Sequence, residues 1–156
     1  MTTDRFQRNA RYWMRPLSIV AAVVAAEGIW LLSELVFGIR LQAPAGNGYP
    51  QPVDIDPGTV AIASVVMPLL GWGLLFGLER FTSRAREVWL GVALLALVAS
   101  LFMPLSGAGV TVADRAVLVL MHLTVAAIVI PLLYLTSPRA ERAPRQPTRI
   151  LTGEAA

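Results

Sequence analysis

Four long apolar blocks decide what this 156-residue chain can become. They run over residues 16–39, 57–78, 88–108 and 112–136, and no charged run interrupts any of them. About 20 helical residues cross a hydrocarbon core of about 30 Å. Inside lipid every backbone N–H and C=O must find its partner within the segment, so blocks of this length form helices. The sequence therefore predicts an all-α polytopic membrane protein, a four-transmembrane-helix bundle. Composition agrees: 56% of residues are apolar and 15% charged, whereas soluble domains carry about 25% charged residues. The mean hydropathy is +0.63. A soluble globule is excluded.

Local signals mark the helix starts. Asp56 before Pro57 reads as an N-cap followed by a first-turn proline. Thr111 with Asp114 three residues on reads as a capping box for the fourth span. The chain divides into an Arg-rich N-terminal segment (1–15), the membrane domain (16–137) and a tail (138–156) whose Pro and Arg content predicts disorder. The Arg-rich start and the apolar stretch after it have the outline of a signal peptide. That stretch continues to Ile39, however, too long for an h-region, so cleavage is not expected.

The basic residues are all arginine and are unevenly placed. Eleven of the 13 fall in the N-terminal segment, between the second and third spans, or in the tail; only Arg40 and Arg115 lie on the other side. The positive-inside rule then puts both termini in the cytoplasm, in a bacterial cytoplasmic membrane. This bias explains the pI of about 10.2 without nucleic acid. With no cysteine, the chain has no disulfide, thiolate metal site or thiol nucleophile. No GxSxG elbow accompanies the single histidine, and no HxxxH or ExxH pairing suggests a metal. Neither an enzyme nor a cofactor is expected.

Three ionisable groups lie inside the spans: Glu27 and Glu34 in the first and His122 in the fourth. Each costs about 2.5–3.5 kcal/mol on insertion scales, so each needs a reason. Helical rise places Glu27 about 16 Å and His122 about 15 Å from opposite ends of antiparallel spans, both near the midplane. Glu34, seven residues from Glu27, shares its face. Ser64 and Ser100 fall at comparable depth, and the five residues together define a candidate intramembrane polar or proton site. Gly73 and Gly77 form a GxxxG, read as helix packing within the bundle or between protomers. Met67-Pro-Leu-Leu-Gly-Trp-Gly73 and Met103-Pro-Leu-Ser-Gly-Ala-Gly109 echo each other but at different depths, so they build no symmetric site.

Two functions follow for Glu27 and His122. They form an interhelical pair in a structural or accessory membrane component, or Glu27 is the proton-binding carboxylate of a small proton-coupled transporter whose pKa His122 tunes. Partners would be the bilayer and a second copy or another membrane protein.

The Arg-rich start, the Glu27 block, Pro104-Leu-Ser-Gly-Ala and Leu120-Met-His-Leu-Thr-Val-Ala resemble a family of uncharacterised four-span membrane proteins of high-GC Gram-positive bacteria, a domain of unknown function. The likeness covers residues of about 12–136 and implies membrane location and topology. Ala26-Glu27 is also similar to the signature of the small multidrug-resistance transporters. The longer outer loop and the histidine of the last span depart from that pattern, which leaves an analogy of mechanism.

Overall fold

The computed structural model describes residues 3–46 and 50–137. Four helices carry the fold: α1 (Thr3–Leu35), α2 (Pro57–Phe81), α3 (Ala85–Ser106) and α4 (Val112–Thr136). Between α1 and α2 lie two short strands, β1 (Gln42–Ala43) and β2 (Val53–Asp54), paired antiparallel with Gln42 opposite Asp54. All four helices are long and apolar enough to cross a membrane, α1 over Trp13–Leu35.

The Arg-rich start is continuous with the first span: α1 passes through Pro16 without ending. A proline removes one donor, and the run of helix formers on either side keeps the rest. At the other end α1 stops at Leu35, short of Ile39, because Gly38 turns left-handed (φ 64°) and lets Ile39 N–H reach the Ser33 carbonyl at 2.9 Å. The caps at α2 and α4 form as expected. Asp56 accepts from Thr59 N–H at 3.0 Å with Pro57 at the helix start. The Thr111 hydroxyl accepts from Asp114 N–H at 3.1 Å, while the Asp114 carboxylate accepts from Thr111 N–H at 2.9 Å.

The helices stand in a ring in chain order. Packing is most extensive between α1 and α4, then between α1 and α2; α3 touches α4 and α2, and α1 and α3 stand across the ring from each other. Two buried apolar clusters fill the centre. Ala22, Leu75, Trp89, Val129 and Leu133 form one; Ala26, Leu41, Val60, Leu118 and Met121 form the other. Trp89 donates from its indole to the Gly71 carbonyl at 2.8 Å, fastening α3 to α2. The rest of α3 is open: only Ala85, Trp89 and Pro104 are buried along it. Its exposed Leu94, Leu95, Val98 and Phe102 suit a hydrocarbon solvent, not water. Gly73 and Gly77 also face open space, since a Cβ at either would meet nothing within 4 Å. The GxxxG thus brings together no two helices of one chain.

The two ends of the bundle are closed differently. At the hairpin end, the α1–α2 loop lies over the α3–α4 loop. Ala45 N–H donates to the Ala108 carbonyl at 3.1 Å, Ile55 N–H to the Leu41 carbonyl at 2.9 Å, and the Trp30 indole to the Ile55 carbonyl at 2.8 Å. Gly107 packs directly on Pro44, and Gly109 on Pro52. Arg115 turns back to donate to the Leu105 and Gly107 carbonyls, a cation on the C-terminus of α3. At the opposite end, called here the arginine end, Arg15 reaches the Glu79 carboxylate at 2.7 and 3.4 Å and both the hydroxyl and the carbonyl of Thr136 at 3.2 and 3.3 Å. One side chain there bridges α1, α2 and α4.

Candidate intramembrane site

Polar side chains in lipid either find a partner on their own helix or look across to another. Here most do the former. Ser18 donates to the Arg15 carbonyl, Ser33 to Trp30, Ser64 to Val60 and Ser100 to Leu97. The His122 Nδ1 lies 2.7 Å from the Leu118 carbonyl, one turn back on α4. A ring nitrogen against a carbonyl oxygen must carry the proton, which fixes Nδ1–H as the donor in that bond.

Glu27 differs. Its Oε1 is buried and has no hydrogen-bond partner among the described residues. No hydrogen bond or ion pair among the described residues joins it to His122; the one ion pair there is Arg15–Glu79. The two residues are nonetheless at one level. Ala26, beside Glu27, packs in the same cluster as Val60 of α2 and as Leu118 and Met121 of α4. His122 follows Met121, and Ser64 is one turn from Val60. Glu27, Ser64 and His122 thus adjoin, along their own helices, residues of one apolar cluster, and no hydrogen bond links any two of them among the described residues. Ser100 is not brought there: it sits on α3, across the ring from α1. Glu34 is half-buried in the last turn of α1, a helix end at which an acid is electrostatically disfavoured.

A buried polar oxygen without a partner is costly. Asp114, 3% exposed at the hairpin end, also keeps one oxygen (Oδ1) buried and unpartnered while the other serves the capping box. Among the described residues no group of three His, Cys, Asp or Glu side chains could hold a metal.

Sequence reasoning did not find the polar contacts at the arginine end. Arg15 and Glu79, with side chains 11% and 19% exposed, form a near-buried pair. Arg86 of α3 stacks on the Tyr134 ring of α4 with its guanidinium carbon 3.6 Å from the centroid. The available signal was Glu79, an acid closing an otherwise apolar span and followed by Arg80, Arg84 and Arg86.

A four-helix, multi-pass membrane bundle is the class these features define. The chain belongs to a family of unknown function, DUF6069, whose model matches residues 6–139. No curated protein and no solved structure matches it.

Proposed function

We propose that this protein is a small proton-coupled membrane transporter or exporter in which Glu27 is the proton-binding carboxylate. The observation that carries the reading is the buried Glu27 Oε1, without a partner among the described residues, in spans where the serine hydroxyls and the imidazole are satisfied on their own helices. In this reading a carboxyl group carries one proton, and releasing it inside lipid must be matched by an incoming charge or by hydration. His122, one cluster away with its Nδ1–H committed to the Leu118 carbonyl, leaves Nε2 as a second proton acceptor at the same depth. The chemistry is non-enzymatic and needs no cofactor. Both termini face the cytoplasm of a bacterial cell, following the arginines. Four helices are few for a substrate pathway, so the working unit is a homo-oligomer.

A second reading, a structural or accessory membrane component, is favoured by the Arg15–Glu79–Thr136 bridge, which fixes three helices against one another. Carbodiimide labelling in native membranes separates the two. Labelling of Glu27 should fall as pH rises across a window of about 5–9, and Glu27→Gln should abolish it. A Glu27 that stays silent at every pH, while Asp54 or Glu34 labels, returns the protein to the structural reading.

A further inference from the structure

We propose that the arginine end carries a binding site for the phosphate group of an anionic lipid headgroup, built from the first turn of α3 with Arg86 and from Ser137 at the end of α4. Three independent observations meet there. First, α3 starts without a side-chain cap, since Arg84 at its N-cap position makes no capping hydrogen bond. The first-turn N–H groups of Ala85, Arg86 and Glu87 therefore have no helical acceptor and point outward with the positive end of the dipole.

Second, the charges are placed against that dipole. Arg84 and Arg86 sit where a cation is disfavoured, and only the exposed Glu87 offsets them. Arg15 has its carboxylate in Glu79, whereas Arg86 has none: its guanidinium lies over Tyr134, and its Nε is buried without a hydrogen-bond partner among the described residues. An anion seated between α3 and α4 reverses this mismatch, accepting from Arg86 and from the helix N–H groups together.

Third, Ser137 is 2% exposed and its Oγ finds no partner among the described residues. It lies one turn beyond Tyr134 and so on nearly the same face of α4. Because α3 and α4 run antiparallel, that next turn lies beyond Arg86, level with the start of α3. A buried hydroxyl, a guanidinium with an unpartnered Nε and uncapped amides thus fall within about one helical turn of the paired ends of α3 and α4. Tyr134 is a residue of the type that lies at headgroup level, which puts the site in reach of lipid phosphate.

The test uses the full chain purified in mild detergent and moved into nanodiscs of phosphatidylcholine with or without phosphatidylglycerol, with inorganic phosphate as a separate arm. Retained lipid is counted by native mass spectrometry, and thermal stability is followed in parallel. The expected result is one phosphatidylglycerol retained and a raised Tm, with affinity weakened about tenfold or more by Arg86→Gln and by Ser137→Ala. Arg80→Gln, an exposed cation at the same end, should leave both unchanged. Should Arg86→Gln fold poorly, Ser137→Ala carries the test, since it removes a single buried hydroxyl. Stabilisation by inorganic phosphate alone would move the site to a soluble phosphate ligand and overturn the lipid assignment. Equal losses in Arg80→Gln and Arg86→Gln, or no preference for phosphatidylglycerol, would overturn the site itself.

Discussion

The two ends of this bundle solve one problem with different chemistry. Both must stop helices from separating where the lipid ends and water begins. The arginine end does it with side chains: Arg15 joins Glu79 and Thr136, and Arg86 lies across Tyr134. The hairpin end does it largely with the main chain, through Ala45–Ala108, Leu41–Ile55 and glycines pressed against prolines, with the Trp30 indole and the Arg115 guanidinium as side-chain ties to backbone carbonyls. A charged fastening responds to salt, pH and substitution, while a backbone fastening responds mainly to shape. The difference predicts which changes loosen which end.

The largest effect should come from Glu79→Ala. It leaves Arg15 near-buried beside Thr136 without its carboxylate, and breaking a buried pair one-sidedly costs several kcal/mol. Both groups keep some exposure, so about 2–3 kcal/mol is expected in detergent unfolding. The double variant Arg15→Met/Glu79→Ala should recover much of that loss. If it recovers nothing, the bridge is not a coupled unit.

Next comes Gly107→Ala at the hairpin end. Its Cβ would stand 2.8 Å from the Met103 carbonyl oxygen and would overlap Pro44. Overpacking against backbone predicts a loss of about 1–3 kcal/mol that, unlike the Glu79 effect, does not change with salt. A salt-dependent loss at Gly107 would erase the contrast between the ends.

The smallest concerns Asp56, whose carboxyl is held below its usual range by the Thr59 hydroxyl and then by the Thr59 N–H. The folded pKa is depressed, so this cap contributes fully above the ordinary carboxylate range and is lost as pH falls through the folded value. Asp56→Asn, which still caps, should flatten the acid limb of the stability profile slightly. An unchanged profile would mean that another carboxylate governs it.

What the sequence made legible follows from distance along the chain. The four spans were readable from block length, and the Asp56 and Thr111–Asp114 caps from spacing of three residues, because those rules are local. The His122 bond to Leu118 is equally local but was hidden by the more attractive idea of a partner on α1. The Arg15 bridge spans 64 residues to Glu79 and 121 to Thr136, and no periodicity encodes such a pair. Counting arginines for topology absorbed Arg15 and Arg86 into a general bias. In the loop 40–56 a two-residue strand pair leaves no alternating pattern, so the hairpin there has no sequence signal. For the candidate site, depth arithmetic puts Glu27 and His122 at one level but says nothing of whether they touch, and no bond joins them among the described residues. Ser100 was placed by depth alone, and depth does not distinguish a neighbour from a helix across the ring. The tail 138–156 falls outside the described residues.

The bond between Ala45 and Ala108 has a mechanical consequence. It stitches the loop leaving α1 to the loop entering α4, so the α1–α2 hairpin and the α3–α4 hairpin are tied at one extremity by main chain. A motion that parts these halves has its hinge there and its jaws at the opposite extremity, where the bonds from Arg15 to Thr136 cross between them. The molecule is built like tongs, with the joint on the hairpin side and the grip on the side of Arg15.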